Sequence, residues 1–208
     1  MDTNLLKENL RIYYNQEAEL RNKSDKADWK IKIRENFCNL VKQEHKKTLL
    51  ELGAGAGYDS QFFMNNGLDV IAVDISSEMV RKCKEKAVEA YELDFYYLSS
   101  LNKRFDCIWA MNTLLHVPKS DLCEVLKGIN LVLREDGLLF MGVYGGEDFE
   151  GEYTKSEVST IPRFFSYYSE SCLKAILENY FQIIAFQQFD VGRGLEIDIF
   201  QSIIMRKK

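Results

Sequence analysis

Apolar residues near the start of the chain recur at helical intervals. Leu6, Leu10, Tyr13 and Tyr14, with Glu17 following, trace a short stripe that predicts a first helix, and the polar run Arg21 to Lys26 breaks it. From about Asp28 a second helix is expected, with Trp29, Ile33, Phe37, Leu40 and Val41 on one side. At Thr48 the pattern changes to short apolar runs alternating with amphipathic segments, the mark of a parallel sheet with helical crossovers. Strands are expected at 48–52, 68–73, within 90–93, at 105–111 and at 138–144. Helices are expected at 58–66, ending at Gly67 as a left-handed stop, and after Ser76-Ser77-Glu78, whose hydroxyls can cap exposed N–H groups. A further helix should follow Pro118, from about 119 to 133. A stretch rich in glycine and acid (145–159) separates this region from a helix at 169–180. Two final strands, about 182–190 and 196–205, flank the turn Gly192-Arg193-Gly194.

Composition narrows the class without choosing a function. A chain of 208 residues with 46% hydrophobic and 28% charged residues suits one globular domain with a full core. No apolar run approaches the ~18 residues a bilayer span needs. The opening Met1-Asp2-Thr3-Asn4 has neither the basic nor the apolar region of a secretory signal. The five cysteines are scattered and odd in number, with no C-x-x-C pair, which predicts reduced thiols in a cytoplasmic protein. Two distant histidines, His45 and His116, give no spacing for a metal cluster, so no metal is expected. A net charge of −5 disfavours nucleic acid as a partner.

The candidate chemistry concentrates at Leu49-Leu50-Glu51-Leu52-Gly53-Ala54-Gly55-Ala56-Gly57, a buried strand running into a glycine turn with a helix behind it. Glycines there let a ligand approach backbone where a Cβ would collide. The helix start offers unpaired N–H groups to an anion. Asp74 closes the next strand about 20 residues on, where nucleotide-binding folds place the acid that holds ribose hydroxyls. The dinucleotide fingerprint is G-x-G-x-x-G; here Tyr58 stands where its third glycine belongs, which argues against a nicotinamide cofactor.

This segment resembles motif I of the class I S-adenosylmethionine-dependent methyltransferases, commonly acid-Leu-Gly-x-Gly-x-Gly. The resemblance continues through Asp74, through Asp94-Phe95 as the acid-plus-apolar pair beside the adenine, and through Phe105-Asp106-Cys107-Ile108 as the opening of the fourth strand. Leu131 to Leu139 resembles the turn before the fifth strand, although Glu135-Asp136 replace its usual Pro-Gly. The resemblance covers about Leu49 to Tyr144. It implies an α/β, three-layer, Rossmann-like doubly wound seven-stranded sheet with an antiparallel C-terminal strand. It also implies a single domain over 1–208: a helical cap (1–46), a cofactor-binding core (47–145), an acceptor-side loop (146–168), and a C-terminal helix with a β-hairpin (169–208).

The resemblance further implies S-adenosylmethionine as cofactor, with S-adenosylhomocysteine as product, and a small-molecule acceptor. Gly53, Gly55 and Gly57 would lie along the methionine part, Asp74 and its neighbour Ile75 at the ribose, and Asp94 and Phe95 at the adenine. Glu51 would orient the loop or meet the ammonium through water, and the Asn112 carbonyl would lie near that ammonium. His116 is a candidate general base, being able to titrate near neutral pH; the alternatives are a helix cap or packing on the sheet. Tyr14, within Tyr13-Tyr14-Asn15, is a candidate lid over the cofactor, or else part of a packed surface helix. Arg34 anchors a carboxylate or is solvated. The acids Glu147, Asp148, Glu150 and Glu152, with Tyr153, attract a cationic acceptor or are solvated. Pro162 to Tyr168 roofs the pocket, with Arg163 toward an anion, or belongs to the core. A tRNA or protein methyltransferase, and a cofactor-binding module without activity, remain as alternatives, because fold does not choose an acceptor.

Overall fold

In the computed structural model, which describes residues 3–154, 159–192 and 199–208, the two N-terminal stripes form α1 (Thr3–Arg21) and α2 (Asp28–Gln43). The alternating region follows as β1 (Thr48–Leu52), α3 (Tyr58–Asn65), β2 (Asp69–Asp74), α4 (Ser77–Glu85) and β3 (Glu89–Glu92). A 3₁₀ turn at Phe95–Leu101 leads to β4 (Phe105–Met111), and another at Leu114–His116 leads to α5 (Leu122–Val132) and β5 (Leu133–Gly145). Then come β6 (Phe149–Tyr153), β7 (Arg163–Tyr167), α6 (Glu170–Leu177), β8 (Phe181–Asp190) and β9 (Ile199–Lys207).

The main sheet has the order β3-β2-β1-β4-β5-β9-β8. The first five are parallel, with Leu50 of β1 opposite Ile71 on one side and Ile108 on the other; β9 runs antiparallel to both β5 and β8. This is the expected α/β sheet with its antiparallel strand. The turn Gly192-Arg193-Gly194 falls partly, and the start of the expected last strand wholly, outside the described residues. Apolar side chains fill both faces. On one, Leu126 and Ile129 of α5 and Leu173 and Leu177 of α6 pack near Leu50, Ile108 and Leu139. On the other, Phe37 of α2 and Phe63 of α3 meet Trp109, which stacks on Phe140 with centroids 3.9 Å apart. Ser76 caps α4 as expected, its hydroxyl accepting from the Met79 N–H at 3.1 Å. Among the described residues no helix is long and apolar enough to cross a membrane.

Three boundaries differ from the sequence pattern. The segment 146–168 contains an antiparallel ribbon, β6–β7, held by the rings of Phe149, Tyr153, Phe165 and Tyr167. Pro118 to Asp121 form a turn ahead of α5, so that helix starts later than expected. β5 starts at Leu133, already paired with Phe105, and a bulge restores register at Cys107 and Leu138. That bulge explains the unusual Glu135-Asp136. Asp136 adopts φ +60°, a conformation aspartate tolerates better than most residues. Its carbonyl accepts from Lys46 at 2.8 Å, and its carboxylate from Arg206 at 2.8 Å.

Candidate active site

β1 ends in the glycine loop at the C-terminal edge of the sheet, the side where ligands bind in open α/β folds. The loop is tied to β2 by the N–H groups of Gly53 and Ala54, which donate to the Val73 carbonyl at 2.8 and 3.1 Å. Gly53, Gly55 and Gly57 adopt φ of +63°, +54° and +81°, a region that costs other residues roughly 1–2 kcal/mol. Their surroundings differ. A Cβ on Gly53 would stand 2.1 Å from Thr113 Oγ1, and one on Gly57 would stand 2.9 Å from Cys83 Sγ. A Cβ on Gly55 would meet nothing within 4 Å.

Above the loop opens a cleft of about 1060 Å³, bounded by the ends of β1, β2 and β4 and roofed by α1 and α2. Nearly every residue expected at the site lines it: Tyr14, Glu51, Gly53, Gly55, Asp74, Ile75, Asp94, Phe95, Asn112 and His116. Gly57 does not; it packs against α4 and closes the turn.

The acids of the cleft are individually held. Asp74 accepts from the Gly55 N–H at 2.8 Å and the Ser76 N–H at 2.9 Å. Burial pushes its carboxyl up, and those two N–H groups pull it back. Asp94 accepts from the Tyr96 N–H at 3.0 Å and pairs with Lys7 at 2.9 Å, whose ammonium also lies 3.3 Å from the Tyr96 ring centroid. Glu51 is buried and accepts from the Ser60 hydroxyl. Burial first, and then the Asp59 carboxylate, push Glu51 up to about 8. Asp59 in turn accepts from Lys26, from Arg34 at 2.8 Å and from the Trp109 indole at 3.2 Å. Arg34 is therefore no solvated helix face: its side chain is 12% exposed, and its guanidinium lies 3.9 Å from the Phe62 centroid.

His116 has both ring nitrogens engaged. Nδ1 lies 2.7 Å from the Phe164 carbonyl and Nε2 lies 2.7 Å from the Tyr14 hydroxyl. Burial, against the help of the Phe164 carbonyl, pushes its pKa down to about 3, and Arg163 and Arg21 act in the same direction. The helix carrying Tyr14 is pinned across the cleft: Asn15 accepts from the Ser76 hydroxyl at 2.6 Å and from the Glu78 N–H at 3.2 Å. Asn112 adopts φ +56°, its N–H donates to the Gly142 carbonyl at 2.8 Å, and its Oδ1 is buried with no hydrogen-bond partner.

Two expected features lie elsewhere. None of the loop acids Glu147, Asp148, Glu150 and Glu152, nor Tyr153, lines the cleft. Asp148 bonds Lys119 and Ser169, and Glu150 accepts from the Lys119 N–H at 2.7 Å, so these two acids serve to fasten the ribbon. Arg163 is wedged between the rings of Tyr13 and Phe165, at 4.5 and 4.9 Å, behind α1. Conversely, Lys7, Arg21, Lys26, Trp29, Lys30 and Tyr144 line the cleft without having been singled out for it. Part of that was readable, since Thr3, Lys7, Leu10, Tyr14 and Arg21 repeat at steps of four, three, four and seven along one helix face.

Comparisons with known proteins agree with this geometry. Residues 49–137 match a family model described as a methyltransferase domain. The chain is 34% identical over 96 residues to a malonyl-[acyl-carrier protein] O-methyltransferase of Hamiltonella defensa subsp. Acyrthosiphon pisum (strain 5AT), a match covering 45% of this chain and 36% of that protein. It is 26% identical over 106 residues to a ubiquinone biosynthesis O-methyltransferase of Haemophilus ducreyi (strain 35000HP / ATCC 700724), covering 46% and 44%. The chain thus spans less than half the length of these two curated relatives. Among solved structures it resembles a 1,6-didemethyltoxoflavin-N1-methyltransferase of Burkholderia thailandensis, solved with 1,6-didemethyltoxoflavin and S-adenosylhomocysteine bound. That likeness has a TM-score of 0.76 and 19% identity, and covers 100% of this chain and 91% of the other.

Proposed function

We propose that the chain is a class I S-adenosylmethionine-dependent methyltransferase, that it binds S-adenosylmethionine in this cleft and that it methylates a small molecule, a reading supported by the methyltransferase-domain match over 49–137 and by the methyltransferase relatives. The observation that carries the reading is the pairing of Gly55 with Asp74. A bare glycine opens onto free space, and the same residue's N–H fixes a buried carboxylate at the next strand end. An extended nucleoside with an amino-acid tail fits that arrangement. Asp74 retains lone pairs for two ribose hydroxyls, with Ile75 beside it, and Asp94 and Phe95 lie toward the adenine end. Gly53 and Gly55 border the amino-acid tail, with Gly57 shaping the turn behind them. Glu51 and the Asn112 carbonyl are the acceptors for the ammonium, and the Arg34–Lys26 pair is the cation source for the carboxylate.

When bound, the cofactor supplies a methyl group on a positively charged sulfur, which an acceptor lone pair displaces to leave a neutral thioether. The protein's part is to hold and enclose. Alignment of reacting groups is worth roughly 7–11 kcal/mol of barrier in well-oriented systems. The cap of residues 1–46 contributes by roofing the cleft through Leu6, Leu10, Tyr14 and Trp29. The names of the relatives, two O-methyltransferases and one N1-methyltransferase, leave oxygen and nitrogen both open as acceptor atoms. The scattered, odd-numbered cysteines, with no C-x-x-C pair, favour a reducing, cytoplasmic setting.

Calorimetry with S-adenosylmethionine, S-adenosylhomocysteine and NAD tests the cofactor. Binding of both sulfur compounds and not NAD is expected; tight binding of NAD alone would overturn the reading. Transfer of a labelled methyl group from the cofactor to a metabolite extract separates an enzyme from a module that only binds.

A further inference from the structure

Tyr14 and His116 form a hydrogen-bonded pair in the wall of the cleft whose proton positions follow from a third group. The Phe164 carbonyl can only accept, so His116 Nδ1 must carry a hydrogen to make its 2.7 Å contact. A neutral imidazole has one N–H, so Nε2 presents a lone pair, and the Tyr14 hydroxyl must donate to it across 2.7 Å. The ring is held in that orientation from a second side by Phe165, with centroids 4.9 Å apart. His116 has residues of like effect around it. Arg21 lies with its guanidinium carbon 4.9 Å from the Tyr14 ring and Arg163 lies behind the pair, so a second proton on the imidazole meets positive charge from both.

The consequence falls on Tyr14. Its only hydrogen is committed to the histidine, so toward the cleft its oxygen can only accept. A phenol free to rotate would serve donors and acceptors alike; this one is fixed. We infer that Tyr14 Oη, oriented by His116, positions the methyl acceptor and selects molecules that present an N–H or O–H group to the cleft over those presenting a carboxylate or a thiolate. His116 acts through Tyr14 as a positioning residue and takes no proton. The inference rests on the methyltransferase reading for the reaction, but the hydrogen-bond geometry is independent of it.

Two measurements test it. The first is the ¹⁵N NMR spectrum of His116, taken with and without S-adenosylmethionine from about pH 5.5 to about pH 8.5, a range that brackets the ordinary histidine pKa. The neutral Nδ1–H form is expected throughout, and the Nε2 signal should shift in Tyr14→Phe; an imidazolium or an Nε2–H form near pH 7 overturns the inference. The second offers labelled S-adenosylmethionine with phenols, catechols, anilines, imidazoles and amines, alongside carboxylic acids and thiols. Methylation within the N–H and O–H set is expected, with the KM of the best acceptor raised about 2- to 10-fold in Tyr14→Phe, the value of one neutral hydrogen bond. The cofactor Kd should stay within about 2-fold, and His116→Gln, which keeps an acceptor for Tyr14, should recover much of what His116→Phe loses. Transfer only to acids or thiols, no transfer to any N–H or O–H compound, or a Tyr14→Phe loss confined to cofactor affinity overturns the inference while leaving cofactor binding intact. Failure of the parent protein to bind S-adenosylmethionine at all strikes instead at the methyltransferase reading.

Discussion

Alanine at Gly55 and alanine at Gly53 should have opposite signatures, although only Ala54 separates the two glycines. At Gly55 the added Cβ enters open space, so folding loses only the left-handed backbone penalty of roughly 1–2 kcal/mol. At Gly53 the same penalty applies, and the Cβ also lands 2.1 Å from Thr113 Oγ1 and 2.7 Å from Thr113 Cβ. Overpacking of that kind adds about 1–3 kcal/mol, for a total of about 2–5 kcal/mol. In a domain of this size each kcal/mol moves Tm by about 2–4 °C, so Gly55→Ala should melt about 2–8 °C lower and Gly53→Ala about 4–20 °C lower. Cofactor affinity should run the other way: the Gly55 Cβ would occupy open space that the proposed cofactor covers, so Gly55→Ala should lose binding out of proportion to its stability. Differential scanning calorimetry and titration calorimetry on both variants provide the two readings. Adding Thr113→Gly to Gly53→Ala should recover the packing part and leave the backbone part. The reasoning fails if Gly55→Ala binds S-adenosylmethionine like the parent, or if it melts below Gly53→Ala.

Glu51 gives a pH dependence with a definite sign. It holds its proton up to about pH 8 when folded and to 4.5 when unfolded, so the folded state binds more protons between those values and stability falls as pH rises through them. Glu51→Gln should flatten that slope in urea denaturation at about pH 5.5 and about pH 8.5, and an unchanged slope would show that Glu51 is not its source. Asp59→Asn should destabilise by about 3 kcal/mol or more, because it strips the charge partner from the nearly buried Arg34; chemical denaturation showing less than about 1 kcal/mol would mean that water reaches the cluster. Asp74→Asn can keep one acceptor but turns an N–H₂ toward the other backbone donor, so about 1–2 kcal/mol of stability and about 10-fold or more in cofactor affinity should go together. Affinity equal to the parent in the folded variant would remove Asp74 from the ribose.

The sheet was legible at β1, β2 and the later part of β5 because these are short apolar runs stopped by glycine or acid at their C-terminal ends. The physics that buries them on both faces also makes them stand out. Boundaries were less legible where a strand keeps pairing beyond its apolar run, as β5 does from Leu133 through a bulge at Asp136. The ribbon β6–β7 is more instructive. Phe149-Glu150-Gly151-Glu152-Tyr153 does alternate with period two, but its alternate positions are acids, and the charge made it read as a solvated loop. The pairing that makes it a strand comes from Arg163–Tyr167, ten or more residues further on, and leaves no mark in the segment itself.

The site divides along the same line. Gly53, Gly55 and Asp74 were readable because backbone makes the demand: a positive φ, a close approach, a strand end with N–H groups to satisfy. These requirements are local, and sequence records local requirements. What α1 and α2 bring to the cleft depends on how two helices lie across a sheet, and a lysine on a helix is exposed by default. Lys7 and Arg34 acquire their place from Asp94 and Asp59, which are 87 and 25 residues away, and from the rings of Tyr96 and Phe62. His116 shows the limit most clearly. Its residue type suits a base and a packed ring equally, and nothing within the segment decides between them. Its partners come from far along the chain: the Phe164 carbonyl, 48 residues later, takes the Nδ1 hydrogen, and the Tyr14 hydroxyl, 102 residues earlier, meets Nε2, which sets the direction of both hydrogen bonds from the ribbon through the imidazole to the phenol in the cleft.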